Sequence, residues 1–311
     1  MHLNLHFVLC LALAACSSAP ERTDVEARSL LGEVLRRPTL APERAAELNQ
    51  ALAAAEADWR ADPSSELAAI WVGRRLAYQT RYRDAVEWYT QRLVDFPDSY
   101  RLLRHRGHRY ISLRNFDAAI ADLTRASILA RDVPDAIEPD GAPNRFGIPR
   151  STTKSNIYYH LGLAHYLQAD YEAALDAYRL ALGRNGINDD NRVSATHWLY
   201  LILRRLGRDA EAAAVVQPIH SGMAVIENTG YWKLCLLYRG DLTHQDVLEA
   251  ARGDGIGFAS VANGVAAWSL ANGAEDCAYE IWAEIAAGDA WSAFGHIAAE
   301  VEIARQGARE R

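Results

Sequence analysis

Cysteine is scarce in this chain: there are four in 311 residues, and Cys10 and Cys16 fall in an apolar N-terminal run. No CxxC pair occurs, which excludes a zinc cluster of that kind and a thioredoxin-like redox site. Cys235 and Cys277 remain, both in segments that read as helical; a single disulfide and two buried thiols both fit. Basic charge is not in excess either, since 33 Lys and Arg against 40 Asp and Glu leave a net charge of -7. A chain with that balance has no global attraction for phosphate backbones, so no nucleic-acid partner is expected. No alternating strand pattern of useful length appears. Catalytic motifs are missing as well: there is no HExxH and no GxSxG, and "GDGIG" at 253–257 lacks both the lysine and the preceding strand of a phosphate loop. No cofactor is expected. What remains is an ordinary globular composition, 50% hydrophobic and 23% charged, enough for one large domain or an extended array.

The N-terminus "MHLNLHFVLCLALAAC" is an apolar run too short to span a bilayer as a mature helix, followed by polar "SSAPERTD". It reads as an export signal. Leu13-Ala14-Ala15-Cys16 resembles the lipobox of bacterial lipoproteins, although His2 and His6 stand where such signals carry Lys or Arg. The resemblance implies removal of residues 1–15, lipidation of Cys16 and, with Ser17 following, sorting to the periplasmic face of the outer membrane. A plain secretory signal, giving a soluble periplasmic or secreted protein, is the alternative.

The informative feature is a spacing. "WVGRRLAYQTRYRDAVEWYTQRLVDFP" at 71–97 and "RGHRYISLRNFDAAIADLTRA" at 106–126 place Gly73 and Gly107, and likewise Ala85 and Ala119, 34 residues apart. A third copy, "LGLAHYLQADYEAALDAYRLAL" at 161–182, carries Gly162, Tyr171, Ala174, Tyr178 and Ala181, offset by 55 residues, or 34 plus an insertion of 21. Small residues at these points allow two helices to approach closely while aromatics fill the adjoining spaces. The period and residue types resemble the tetratricopeptide repeat. Looser copies follow at 197–216, with Tyr200 where glycine is expected and Gly207 at the turn, and at 268–285, with Gly273, Ala278 and Trp282. The stretch at 197–216 is also similar to one in uncharacterised bacterial envelope repeat proteins. The expected fold is all-α, an α-solenoid of helical hairpins. Its organisation is a signal at 1–15, a lipid-anchored linker at 16–22, N-terminal capping helices at 23–65 and a solenoid at 66–311. Within the cap, "VEARSLLGEVLRR" and "ERAAELNQALAAAEADW" carry apolar residues at three- and four-residue spacing and are predicted to be helical.

The resemblance implies a concave groove lined by the first helix of each hairpin. It points there to Ile70 and Arg74, then Arg101, Arg104 and His108, then Asn156, Tyr159 and Tyr166, then Ser194, His197 and Arg204. Arginines beside amide, imidazole and phenol groups suit a peptide carboxylate or acidic segment, because guanidinium grips carboxylate through two parallel hydrogen bonds. The expected function is a non-catalytic adaptor of the cell envelope binding an envelope protein or acidic peptide; the same arginines also fit a merely solvated face. Two alternatives are a self-associating structural lipoprotein and a metal-dependent or hydrolytic enzyme using His108, His165, His197, Asp135 and Glu138. The insertion at 131–151, "RDVPDAIEPDGAPNRFGIPRS", has four prolines and an Asp140-Gly141 turn. It reads as a stiffened connector or a lid over the groove.

Overall fold

The computed structural model describes residues 24–141, 143–183, 187–253 and 255–309; the expected export signal, Cys16 and the expected linker lie outside them. The described chain begins with an antiparallel hairpin of Val25–Arg28 (β1) and Val34–Arg36 (β2), bulged between Val25 and Ala27. This corrects the helix expected from "VEARSLLGEVLRR". Gly32 takes φ 92°, outside the helical region, while the Ser29 hydroxyl accepts from the amides of Leu31 and Glu33 and closes the turn. With strands this short, apolar residues at three- and four-residue spacing cannot separate strand from helix. Glu26 is buried and accepts from the Arg83 amide at 2.9 Å, in the first turn of a later helix.

After α1 (Pro42–Ala61) the helices pair as hairpins: α2 (Glu66–Tyr78) with α3 (Tyr82–Asp95), α4 (Tyr100–Ser112) with α5 (Phe116–Leu129), and α6 (Thr153–Leu167) with α7 (Tyr171–Leu182). A fourth pair is α8 (Asp189–Arg205) with the short α9 (Asp209–Val216). An irregular pair, α10 (Thr229–Arg239) and α11 (His244–Glu249), precedes α12 (Gly255–Ala271) with α13 (Glu275–Ala286) and the last helix, α14 (Phe294–Arg309).

The glycine spacing now has a physical cause. A Cβ on Gly73 would lie 2.2 Å from the Tyr89 ring, on Gly107 2.7 Å from Leu123, and on Gly162 2.6 Å from the Tyr178 ring. In each hairpin a glycine on the first helix therefore admits a large side chain from the second. Ala85, Ala119, Ala174 and Ala181 are buried at the same contacts. Every first-to-second helix turn also carries one residue at positive φ: Thr80, Arg114, Ala169, Gly207, Gly240 and Gly273. Helix starts recur too, with the Ser65 and Ser99 hydroxyls accepting the amides of Ala68 and Leu102.

The far end of the array folds back on its beginning. Along α14, Glu300 forms a buried ion pair with Arg114, Glu302 pairs with Arg205 at 2.9 Å, and Arg305 donates to the Leu167 carbonyl at 2.8 Å. Trp291 packs edge-on against Tyr82 and donates its indole N–H to the Arg36 carbonyl at 2.8 Å. The last helix thus runs along the turns of the earlier hairpins and reaches the β-hairpin. Cys235 and Cys277 are free thiols; burial pushes the Cys235 thiol pKa up.

Candidate functional site: a groove occupied by its own insertion

The first helices α2, α4 and α6 present one concave wall, and the insertion lies across it. Its ends pair as a bridge between Ile137 and Thr152, with the Glu138 amide donating to the Ser151 carbonyl at 3.1 Å. Gly141 rests on α2, where a Cβ would come 2.4 Å from the Tyr78 hydroxyl and 2.8 Å from the Trp71 ring. This close approach requires glycine. Arg74 donates to the Pro139 carbonyl and, at 3.0 Å, to the Tyr78 hydroxyl. On the opposite side Asn144 donates to Glu227 at 2.6 Å, and Arg150 to Asp190 at 2.7 Å.

Asp190 organises that opposite wall. Burial works to raise its pKa, but N–H donors from Asn228, Glu227 and Ile226 and the Arg150 guanidinium hold it below the ordinary carboxylate value. One side chain thereby fixes the 226–228 turn and one end of the insertion.

Glu138 points into the groove and is buried. One oxygen meets Arg104 at 3.0 Å and His105 at 3.7 Å; the other accepts from Asn156 at 3.0 Å. Burial lowers the pKa of Arg104, with Glu138 opposing the shift, and holds His105 well below 6.5 with help from the neighbouring arginines. Arg109 lies over the Tyr82 ring at 5.0 Å and has no paired carboxylate among the described residues.

Two adjoining cavities border the insertion. One, of about 460 Å³, is bordered by Arg74, Arg104 and Arg150 and by the acids Glu138 and Asp140. The other, of about 320 Å³, is bordered by Tyr159, His160, Ser194, Tyr231 and Phe294. Ser151, Asn156 and Glu227 line both. Beside them His108 packs against His160, with ring centres 4.2 Å apart, and against Phe294 of α14 at 5.2 Å.

Of the residues expected in the groove, Arg74, Arg104, Asn156, Tyr159 and His108 meet there. Ser194 borders its inner cavity although buried, and Ile70 is in the core. Arg101 sits at the rim, paired with Glu66 at 3.3 Å. Three expectations are corrected. Tyr166 is a core residue, 1% exposed and packed on Trp198. His197 is fully buried, sharing a hydrogen bond with the Tyr238 hydroxyl at 2.9 Å and stacked on Tyr231, with burial lowering its pKa to about 3. Arg204 joins helices, donating to Tyr200 at 2.9 Å and to the Ala271 carbonyl. The reason is common to His197 and Arg204: α10 and α12 cover the face of α8 that an open solenoid would leave to solvent.

The residues of the enzymatic alternative do not converge. His165 faces Asp170 at 3.2 Å, His108 faces His160, and His197 is held by Tyr238. Among the described residues no group of three or more His, Cys, Asp or Glu is placed to hold a metal ion. No described helix is long and apolar enough to cross a membrane. Sequence reasoning missed His105, Arg109, His160, Tyr231 and Phe294. Phe294 carried no signal, because it arrives from a helix more than a hundred residues away.

Residues 155–188 match the tetratricopeptide repeat family model, which begins within α6 and runs through α7. Similar solved structures include MamA AMB-1 at 19% identity, covering 56% of this chain and 89% of that one, with TM-score 0.41. A tetratricopeptide repeat protein from Parabacteroides merdae ATCC 43184 is 13% identical over 82% of this chain and 93% of that one, with TM-score 0.49. The P58(IPK) TPR domain is 15% identical over 86% and 77%, with TM-score 0.29. No curated protein sequence matches. Residues 155–188 thus match a tetratricopeptide repeat over α6 and α7, and the same glycine-on-large-side-chain contact recurs in three successive hairpins of an all-α solenoid.

Proposed function

We propose that this protein is a non-catalytic adaptor of the bacterial cell envelope, anchored through Cys16, that receives a peptide segment of an envelope protein in the groove between α2, α4, α6 and the insertion. The carrying observation is the charge of the wall made by the first helices: Arg74 and Arg104 border the cavity from α2 and α4, whereas the acids bordering it, Glu138, Asp140 and Glu227, come from the insertion and the opposite side. Such a wall favours acidic over basic segments. The lipobox resemblance at Leu13–Cys16 supports placement on the periplasmic face of the outer membrane.

The test is site-specific photo-crosslinking in cells. A photoreactive residue at Asn144 or Ser155, at the groove, is compared with one at Val94, which is 80% exposed outside it. Capture of one envelope protein from the groove positions alone is the expected result. Capture of the same protein from Val94 alone would move binding off the groove. Cys16→Ala is expected to release the protein from the membrane fraction, and continued membrane association removes the anchor from the proposal.

A further inference from the structure

Glu138 occupies the groove as a ligand would. It reaches in from outside the repeat, both oxygens are taken by groove side chains, and Arg104, its partner, is itself buried. A guanidinium buried in a groove wall requires a carboxylate, and the insertion supplies it.

The segment carrying Glu138 is held by polar contacts rather than by burial. Ile137 is 61%, Phe146 53% and Ile148 45% exposed, so its large apolar side chains contribute little to the core. Its attachments include the Glu138 cluster, the bonds that join 136–138 to 151–153 at its base, Arg74 to Pro139, Asn144 to Glu227, Arg150 to Asp190, the Asn188 and Asn191 side-chain amides to the Arg150 carbonyl, and the approach of Gly141 to Trp71 and Tyr78. A segment joined this way can leave without exposing a hydrophobic core, provided another carboxylate takes the place of Glu138. Open volume of about 460 Å³ already borders the site, and Arg109, further along α4 over the Tyr82 ring, has no paired acid among the described residues.

We propose that the insertion is a displaceable internal occupant of the groove, and that the Arg104, His105 and Asn156 site it fills is a carboxylate-binding site for an acidic segment of the partner. This rests on the adaptor reading and adds a control to it. Because Glu138 is tethered, it competes at a high effective concentration. A lone carboxylate does not displace it; a segment making several contacts along the wall does. The apparent affinity of the groove is lowered by the fraction of molecules in which the site is filled from within.

The test measures binding of a fluorescein-labelled octa-glutamate peptide to the full-length protein in detergent at low salt, by fluorescence anisotropy. Glu138→Gln keeps the size of the side chain and a polar contact with Asn156 while removing the charge. It is expected to bind the peptide about tenfold more tightly than wild type, or better. Adding Arg104→Gln to Glu138→Gln is expected to abolish the gain. An affinity within about twofold of wild type for Glu138→Gln, with helicity unchanged, overturns the proposal.

Hydrogen exchange on wild type supplies a readout independent of any variant. Saturating octa-glutamate should deprotect the amides of Glu138 and Thr153, which bond across the base of the insertion, while leaving α4 and the body of α6 beyond its first turn protected. Unchanged protection with peptide bound overturns the displacement. The two readings fail separately. If groove photo-crosslinks capture a partner but Glu138→Gln has no effect on peptide binding, the internal occupant falls and the adaptor stands. If Glu138→Gln opens a peptide site but no groove partner is captured in cells, the carboxylate site stands and the adaptor reading falls.

Discussion

Replacing Arg114 with methionine tests whether the ion pair between the last helix and the second hairpin holds the chain together. The side chains of Arg114 and Glu300 are 3% and 1% exposed. Besides Arg114, Glu300 has the Leu30 amide at 3.0 Å and His296 at 3.3 Å. Arg114 also donates to the carbonyls of Ser112 at 2.6 Å and Trp291 at 2.7 Å. Arg114→Met keeps most of the volume and the same non-glycine backbone at φ 63°, so the change removes the guanidinium, with its charge and its hydrogen bonds, and little else. It leaves a buried carboxylate with two donors, a situation that costs about 3–5 kcal/mol. That is a large part of the total stability of roughly 5–15 kcal/mol typical of a folded protein. In wild type, burial acts to raise the Glu300 pKa, but His296, Arg114 and the Leu30 amide together hold it below the ordinary value. This carboxylate therefore contributes stability above the unfolded pKa and loses it as pH falls. Without Arg114 the folded pKa moves up, so the deficit should be largest at neutral pH and shrink in acid. Urea unfolding followed by circular dichroism at pH 7 and pH 5 reads both effects. The double variant Arg114→Met, Glu300→Leu should recover most of the loss, because an apolar pair replaces the buried charges. A single-variant cost below about 1 kcal/mol, or a double variant as unstable as the single, would refute the reasoning.

Gly162→Val puts branched carbon where a Cβ would already lie 2.6 Å from the Tyr178 ring, and should cost about 1–3 kcal/mol of stability by overpacking, measured by thermal unfolding; an unchanged melting point contradicts the close-approach account. Ala169 holds φ 63° at a turn where later hairpins use Gly207 and Gly273, so Ala169→Gly should stabilise by about 0.5–1 kcal/mol in the same assay, and a loss of stability contradicts it. His105, His108 and His160 are held well below 6.5, and His197 at about 3, chiefly by burial. The unfolded chain takes up protons near pH 6.5 that the folded chain refuses. Stability should therefore be flat above that pH and fall below it by about 1.4 kcal/mol per pH unit for each such histidine. A denaturation midpoint that stays constant from pH 7 to pH 5 would show that these rings protonate freely in the fold.

The hairpins were legible because their signature is local. Gly73 and Tyr89, or Gly162 and Tyr178, meet within one repeat, and the contact recurs wherever the spacing does. The same locality hid the rest. Tyr166, His197 and Arg204 sit at positions that face a groove in an open array, and α10 and α12 folding over α8 turns the latter two inward through contacts of no fixed period. The β-hairpin was missed because β1 and β2 are four and three residues long. Arg104 read as an exposed ligand-binding cation, and it does grip a carboxylate, but that of Glu138. Reversing its charge would set two acids against each other in a buried site, so Arg104→Glu does not leave the fold untouched.

The return of α14 to the start of the chain bears on how such an array can change over generations. An open solenoid gains or loses a hairpin by simple duplication or deletion, since each unit touches its neighbours alone. Here Glu300 accepts from the amide of Leu30 across 270 positions of sequence, and Arg305 meets carbonyls at the end of α6. Adding one hairpin would carry α14 past all of these partners at once. Copy number is therefore fixed by the geometry of closure, and sequence variation is left to segments that lie outside the ring of contacts, the exposed stretch around Phe146 among them.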